Sequence, residues 1–185
     1  MPRQGLDRAT VIAAAVKLTD KKGYVELTLG NLARKLDIKP PSLYKHVASL
    51  EDLQDAIGIL AAEALTAELV PAMEIQNSRD ALRRACDVYR GFAKRRPGMY
   101  AALQGAMTRR SNEFQVAATA LLKIIFSLVT ALGVKDNELV HAVRTLRSLL
   151  HGFVALELIG GFGMPEDIET SFEYLVEIYI QGLKK

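Results

Sequence analysis

The stretch DIKPPSLYKHV, residues 37–47, carries the clearest structural signal in this sequence. Its two prolines, residues 40 and 41, lack a backbone N–H and fit only the first turn of a helix, so a short helix begins there and runs to about Val47. Asp37 stands directly before it, where the chain must turn sharply. Leu43 and Val47, four residues apart, share one helix face and are predicted to point into a core.

Two further helices are predicted before this turn. Residues 6–22 repeat apolar positions at helical spacing until Gly23, and Thr28 is a suitable N-cap for a second helix over 29–36. Three helices, the last two short and joined by a tight turn, form a helix-turn-helix unit. The predicted buried faces are Ile12, Ala15, Val16 and Thr19 in the first helix, and Leu29, Leu32, Ala33 and Leu36 in the second.

The rest of the chain also favours helices. Aromatic residues make up only 6% of the sequence, tryptophan is absent, and alanine and leucine recur throughout. We therefore predict an all-α protein of about nine helices, with a small three-helix domain over 1–48 and a larger helical domain over 49–185. The six later helices are predicted at 50–70, 78–96, 98–107, 112–132, 137–159 and 166–183.

Charge is distributed unevenly along the chain. The net charge is +3, but residues 1–50 hold nine Lys and Arg against four Asp and Glu, while the remainder is slightly acidic. A basic N-terminal block on a nearly neutral body is typical of a head that binds a polyanion. Such an asymmetry also arises by chance, so the charge pattern alone does not identify nucleic acid as the partner.

No part of the sequence indicates secretion or a membrane. The single Cys86 cannot form an intrachain disulfide, and the N-terminus lacks the apolar core and cleavage site of a signal peptide. The longest apolar stretch, residues 121–134, is interrupted by Lys123 and is shorter than the roughly 20 residues that a span requires. We expect a cytoplasmic protein that makes no use of a membrane.

The short helix after the turn has the composition of a DNA-reading element. In a helix-turn-helix, the second helix lies in the major groove and its first residues approach the base edges. Hydroxyl groups and cations bind phosphates, and a helix N-terminus attracts the same anions. Each residue alone could be an ordinary surface residue, but together they favour DNA. Those predicted to face solvent or DNA are Lys39, Pro41, Ser42, Tyr44, Lys45 and His46.

Residues 6–53 resemble the DNA-binding domain of the TetR family of bacterial transcriptional regulators. The run TLGNLARKLDIKPPSLYKHVASLEDL, residues 28–53, has that family's pattern of a threonine before the second helix, a turn, and a Leu-Tyr-x-His recognition helix. The resemblance implies phosphate contacts for Thr28, Tyr44 and His46. Two positions depart from the pattern, because Asp37 stands where glycine is common and Leu50 stands where a phosphate-binding lysine is common.

The last two predicted helices are apolar on more than one side. Such helices must be covered on most sides, and in a body of this size a second copy of the chain is the natural cover. TetR-like proteins dimerise through two helices from each subunit, and residues 148–163 also resemble a C-terminal domain of one TetR subgroup with a His-Gly pair. A polar stripe that includes His141, Arg144 and His151 is either solvated or hydrogen-bonded within itself, or it binds an anionic group or contacts the second copy across the dimer. The predicted interface residues are Leu146, Leu150, Phe153, Phe172, Leu175 and Tyr179.

The same resemblance implies that 1–48 is a DNA-binding domain and that 49–185 is a ligand-binding and dimerisation domain. A small-molecule effector would be enclosed by its central helices, with Arg90, Arg95 and Gln104 as possible polar anchors. The predicted function is a repressor that binds a palindromic operator as a homodimer and is released by the effector. A constitutive DNA-binding or architectural protein without a ligand is the alternative. The large side chains predicted to contact the effector are Tyr89, Phe92, Met99, Tyr100, Leu103, Phe114 and Phe126.

Enzyme and metal chemistry are not predicted. Glu138 and His141 form one Glu-x-x-His pair, but a di-iron bundle needs two such pairs and two more glutamates. The sequence contains no glycine-rich phosphate loop, no nucleophile elbow and no zinc-ligand spacing. We expect no catalytic residues, no cofactor and no metal.

Overall fold

The chain folds into helices, as a computed structural model that describes residues 6–109 and 111–183 shows. Residues 1–5, 110, 184 and 185 lie outside the described residues. The described residues form eight α-helices and three 3₁₀ helices, and the prediction of an all-α fold is confirmed. The α-helices are α1 (Arg8–Lys22), α2 (Leu29–Leu36), α3 (Leu50–Leu69), α4 (Ser78–Arg95), α5 (Pro97–Arg109), α6 (Asn112–Thr130), α7 (Asp136–Leu158) and α8 (Ile168–Gly182); the 3₁₀ helices are Tyr24–Glu26, Pro40–Lys45 and Val70–Glu74.

The chain divides into two compact units. The first unit comprises the described residues of Met1–Ala64 and Arg95–Ala118, and the second comprises those of Leu65–Lys94 and Thr119–Lys185. The predicted division after residue 48 is therefore not the division into compact units, because α5 packs with the N-terminal helices. That packing joins positions far apart in sequence, which local patterns do not reveal.

The core of the first unit is built from the helix faces that the sequence indicates. Asp7 caps α1 by accepting a hydrogen bond from the Thr10 N–H at 2.7 Å. In α1, Ala15, Val16 and Thr19 are buried as predicted, but Val11 is completely buried where Ile12 was expected. The core-facing side of α1 is therefore rotated by one residue at its start. In α2, Leu32 and Ala33 are buried, while Leu29 and Leu36 are half-buried.

Helix α5 lies unusually close to α1. A Cβ atom at Gly98 would overlap the carbonyl carbon of Thr19 and stand 2.5 Å from the Asp20 nitrogen, so only glycine fits there. The Asp20 carboxylate accepts hydrogen bonds from the Met99 N–H at 3.0 Å and from Arg96 Nε at 2.8 Å. These contacts attach the start of α5 to the end of α1.

The second unit contains a buried arginine. Arg90 of α4 is 5% exposed, and its guanidinium donates to Glu157 of α7 and Glu169 of α8. The same guanidinium lies 4.7 Å from the ring centroid of Phe172 and 5.6 Å from that of Phe153. One side chain thus connects three helices.

By length and composition alone, two described helical segments, Leu50–Glu74 and Asn112–Thr130, could cross a membrane. By that criterion, the expectation that no stretch is long enough to span a membrane is wrong for these two segments. The apolar residues of α3 nevertheless include a core-facing series, since Leu53, Ile57 and Leu65 are at most 1% exposed. A core helix of a folded chain meets the same criterion.

Candidate nucleic-acid interface

The turn before the recognition helix is built on a left-handed aspartate. Asp37 has φ 55° and ψ 45°, a conformation that aspartate tolerates better than most residues with a side chain. The Ile38 N–H donates to the Ala33 carbonyl at 3.0 Å, which closes the end of α2. The predicted turn is therefore confirmed, and the chain leaves α2 in a fixed direction.

The recognition helix, Pro40–Lys45, is a 3₁₀ helix. Neither proline can donate a hydrogen bond, and the first available N–H, that of Ser42, donates to the Lys39 carbonyl at 2.9 Å. With three residues per turn, side chains three apart lie above one another. Pro41 and Tyr44 therefore form one edge of the helix, and Ser42 and Lys45 form the next.

Two buried side chains hold this helix in place. Leu43 is 0% exposed and Val47 is 1% exposed, as their spacing predicted. Because these two residues face the core, the rest of the helix is turned outward. Lys39, Pro41 and Lys45 are exposed, and Tyr44 keeps 58% of its surface.

Cationic and aromatic groups on this surface have no partner within the described part of the chain. The side chains of Lys39, Tyr44 and Lys45 make no hydrogen bond or ion pair with it. Ser42 and His46 are half-buried beside them. Exposed phenol and ammonium groups without internal partners are suited to phosphate oxygens or base edges.

Thr28 has a structural role that is compatible with an external one. Its Oγ1 accepts a hydrogen bond from the Asn31 N–H at 3.0 Å, so Thr28 is the N-cap of α2, as predicted. The residue remains exposed. The capping bond uses a lone pair of the hydroxyl, and the O–H can still donate to a phosphate.

A clamp that the sequence interpretation missed fixes the far end of the recognition helix. Arg8 donates to both oxygens of Asp52, at 2.8 and 2.6 Å, and to the His46 carbonyl at 2.9 Å. Asp52 also accepts from the Ala48 N–H at 2.8 Å. The hydrogen bonds from Arg8 hold the pKa of the Asp52 carboxyl below its ordinary value. Helices α1 and α3 are thereby tied to the segment between them.

Part of this clamp has a sequence signature. Ser49, Leu50, Glu51 and Asp52 follow the capping-box pattern, and the Asp52 N–H donates to Ser49 Oγ at 3.0 Å. That pattern could have identified Asp52. Nothing local marks Arg8, which stands 44 positions away.

The side chains predicted to contact an effector are divided between the two units. Phe92, Met99, Tyr100, Leu103 and Phe114 are all at most 4% exposed, whereas Tyr89 and Phe126 are half-buried. Arg90, considered as a polar anchor, already has Glu157 and Glu169 as partners. Met99, Tyr100, Leu103 and Phe114 belong to the first unit, and Tyr89, Phe92 and Phe126 belong to the second.

The predicted dimer residues lie inside the subunit. Leu146, Leu150, Phe153, Phe172 and Tyr179 are between 2% and 8% exposed, which leaves almost no surface for a second chain. Leu175 alone is half-buried. The five buried side chains pack within their own chain, because each helix presents its most regular apolar face to its own core. Their place in a dimer interface stays a prediction. The exposed apolar side chains on α7 and α8 are Val140, Leu156, Leu158, Tyr174 and Ile178.

Cys86 is buried in α4, as its small apolar character suggested. Burial raises the pKa of its thiol to about 12. The thiol therefore stays protonated, and a protonated buried thiol is a poor nucleophile and a poor metal ligand. Across the two described ranges, no cluster of three or more His, Cys, Asp or Glu side chains could hold a metal ion.

These features together define a helix-turn-helix protein of the DNA-binding class. A family model described as "Tetracyclin repressor-like, C-terminal domain" matches residues 82–179, beyond the helix-turn-helix. The chain therefore belongs to the TetR family of transcriptional regulators, and it is a regulator rather than an enzyme.

Similar proteins cover nearly the whole chain. An uncharacterised HTH-type transcriptional regulator of Bacillus subtilis, YobS, is 28% identical over 98% of this chain and 95% of its own length. A crystal structure of BioQ with its double-stranded DNA operator has a TM-score of 0.70 at 22% identity, covering 97% of this chain and 98% of that one. A single-substitution variant of TetR from Acinetobacter baumannii, in complex with minocycline, has a TM-score of 0.70 at 25% identity, covering 97% of each chain.

Proposed function

We propose that this protein is a repressor that binds an imperfect palindromic operator as a homodimer and is released by a small-molecule effector. The main support for this proposal is the outward face of the recognition helix, where Lys39, Tyr44 and Lys45 are exposed without internal partners. Leu43 and the Arg8–Asp52 clamp hold that face rigidly. Affinity and sequence reading then come from a preformed surface.

Each DNA-contacting residue has a proposed role. Lys39 and Lys45 supply charge to phosphates or base edges, and Thr28, Tyr44 and His46 donate to phosphate oxygens. Pro41 and Ser42 lie at the start of the helix, the part that enters the major groove first. The positive balance of residues 1–50 supports this assignment.

Dimerisation is proposed through α7 and α8. Leu156, Tyr174 and Ile178 are 46%, 69% and 52% exposed, which is unusual for large apolar side chains on two neighbouring helices. Covering them with the same helices of a second copy gives a two-fold interface. Two reading heads then address half-sites separated by about 34–36 Å or a multiple of that distance.

The effector part of the proposal rests on the family and on buried large side chains. Phe92 and Leu103 have no exposed surface, so an effector reaches such residues only when the helix packing opens. A compound that binds the opened state better shifts the population toward it and away from DNA binding. The TetR variant in the minocycline complex is a relative that holds a small molecule. We propose that the protein acts in the cytoplasm, where its operator lies.

Selection of bound fragments from genomic DNA of the source organism tests DNA reading directly. We expect recovery of a short inverted repeat. On that repeat, Tyr44→Ala and Lys45→Ala should each weaken binding at least about fivefold. If Lys45 contacts a phosphate, Lys45→Ala removes one cation from each of the two heads and should reduce the salt slope by about 1.8, whereas Tyr44→Ala removes no charge and should leave the slope near the parental value. Lys123→Ala, an exposed lysine of α6, removes the same charge and should bind like the parent. If all three variants bind alike, the recognition-helix assignment is wrong.

Sedimentation tests the dimer. Ile178→Asp places a charge on the exposed apolar face of α8 and should produce monomers with weak operator affinity. Val116→Asp, at a residue of α6 that is 76% exposed, is the matched control and should stay dimeric. Monomers from both variants, or from neither, would move the interface away from α7 and α8.

Release by a ligand is tested on the recovered operator. A compound library is screened for loss of the protein–DNA complex, and a releasing compound should also raise the melting temperature of the free protein. The absence of any ligand-dependent change across a broad library would favour the alternative, a constitutive DNA-binding protein.

A further inference from the structure

A surface groove of about 890 Å³ runs through the first unit, apart from the recognition helix. Residues of α1, α2, α3 and α5 line it, and none of the residues 39–46 does. Its apolar lining includes Val16, Leu60 and Met99. Leu60 is 39% exposed, so part of this lining faces solvent.

Three lysines border the groove. Lys17 and Lys21 stand one helical turn apart on α1, and Lys35 comes from α2. All three are exposed, and none makes a hydrogen bond or an ion pair with the residues of 6–109 and 111–183. Their charges are therefore available to an external anion.

The other two charged groups of the groove neutralise each other. Asp20 accepts from Arg96 Nε at 2.8 Å and from the Met99 N–H at 3.0 Å. This carboxylate is already satisfied and does not compensate the lysines. The groove consequently combines an apolar lining with a net positive charge.

We propose that this groove binds a small amphiphile that has an apolar body and one carboxylate. The volume is in the range of small-molecule sites, and the apolar lining takes the body while the mobile lysine ammonium groups take the anion. A bare phosphate backbone has no apolar part to bury against the exposed surface of Leu60, so an amphiphile fits this surface better than nucleic acid does. The site goes beyond the proposed repressor function and does not require it.

The probe is octanoate, used at concentrations where it is monomeric, with the full chain and no DNA. Calorimetry should give one site per chain, and ¹H–¹⁵N spectra should show shifts concentrated in residues of α1, α3 and α5. Octanol, octylamine and inorganic phosphate separate the contribution of the ligand's hydrocarbon tail from that of its negative charge. Each of these three should bind at least about fivefold more weakly than octanoate.

Two neighbouring lysines provide a matched pair of variants. Lys21→Glu reverses a charge at the groove, and Lys22→Glu makes the same change at an exposed position that does not line it. Lys21→Glu should weaken octanoate binding about fivefold or more, while Lys22→Glu should leave it near the parental value. Leu60→Ser should weaken binding by a similar factor with the charges intact.

Four results would overturn the proposal. Equal effects of Lys21→Glu and Lys22→Glu on octanoate binding would mean that octanoate is attracted by the general positive charge and not by this groove. Octanol binding as tightly as octanoate would remove the role of the lysines. Phosphate binding as tightly as octanoate would make the surface a polyanion contact, and shifts confined to the second unit would place the site elsewhere.

Discussion

The two compact units differ in how deeply their most buried charged side chain lies. The first unit has ion pairs at the edges of its helices, such as Arg8–Asp52, in which the two side chains are 47% and 29% exposed. The second has Arg90, 6% exposed, against Glu157, 10% exposed. Such exposed pairs position one helix on another, and losing one of the two charges costs little stability. A buried pair makes the surrounding core depend on both partners.

The buried cluster is satisfied on every side. Arg90 donates to Glu157 through Nε and Nη2, and Lys94 donates to the same carboxylate at 2.9 Å. Phe153 and Phe172 contact the guanidinium with their rings. Arg90 and Glu157 are the two desolvated charges of the cluster, since Lys94 and Glu169 are 46% and 65% exposed, so removing Arg90 or Glu157 is expected to destabilise this unit most.

The largest expected effect is therefore that of Arg90→Met. It should lower the free energy of unfolding by about 3 kcal/mol, because Glu157 stays buried without its main partner. Urea denaturation followed by circular dichroism measures this. Arg84→Met, at an exposed position of the same helix, should change stability by less than about 0.5 kcal/mol. Equal losses of unfolding free energy in the two variants would mean that the buried cluster contributes no more to stability than an exposed arginine does.

Next is the contact between α1 and α5. Gly98→Ala drives a methyl group into the Thr19 carbonyl carbon, and backbone atoms cannot rotate away, so we expect a loss of about 2 kcal/mol. Gly30→Ala on α2 is the matched control, because the nearest atom to its Cβ, Thr28 Oγ1, lies at 3.9 Å, an ordinary van der Waals distance. It should stabilise the protein by about 0.5–1 kcal/mol. A harmless Gly98→Ala would show that α5 moves freely on α1.

A smaller effect is expected from Asp52→Asn in the first unit. Loss of the charge weakens the clamp to Arg8 by about 0.5–1 kcal/mol, since both groups are partly exposed. Operator binding should fall more than stability does, because the clamp positions the recognition helix. Glu51→Gln is the adjacent control with the same charge change. The comparison between units is weakened if Asp52→Asn costs as much stability as Arg90→Met.

The last prediction concerns acid. The hydrogen bond from Arg90 holds the pKa of Glu157 below the ordinary value of 4.5. The ionised carboxylate therefore contributes stability above that value, and the contribution is lost as the pH falls through the lower, folded-state pKa. The stability difference between the parent and Glu157→Gln should narrow in that acid range. A difference that is constant with pH would assign the effect to packing.

Local patterns predicted the helix-turn-helix closely and the long-range contacts poorly. The bounds of α2, the turn at Asp37 and the inward Leu43 and Val47 were all readable, because each follows from residues within one or two turns. Arg90 was read as a possible ligand anchor, and its partner Glu157 lies 67 positions away. No periodicity links such positions.

The predicted dimer residues also show that local patterns do not predict long-range contacts. Apolar spacing indicates that a helix has a buried face, but not whether its own chain or a second copy covers it. Phe153 and Phe172 meet each other, with ring centroids 5.1 Å apart, and Arg90 lies against both rings. The large apolar side chains left exposed on α8 are those that break the regular apolar pattern, Tyr174 and Ile178.

The 3₁₀ form of the recognition helix has a consequence for the operator. A 3₁₀ helix rises about 2.0 Å per residue, so Pro41 and Tyr44 are separated by about 6 Å along its axis. Two base-pair steps of duplex DNA measure about 6.8 Å. The spacing of Pro41 and Tyr44 along the helix is therefore close to two base-pair steps, whereas an α-helix would bring the same residues to about 4.5 Å.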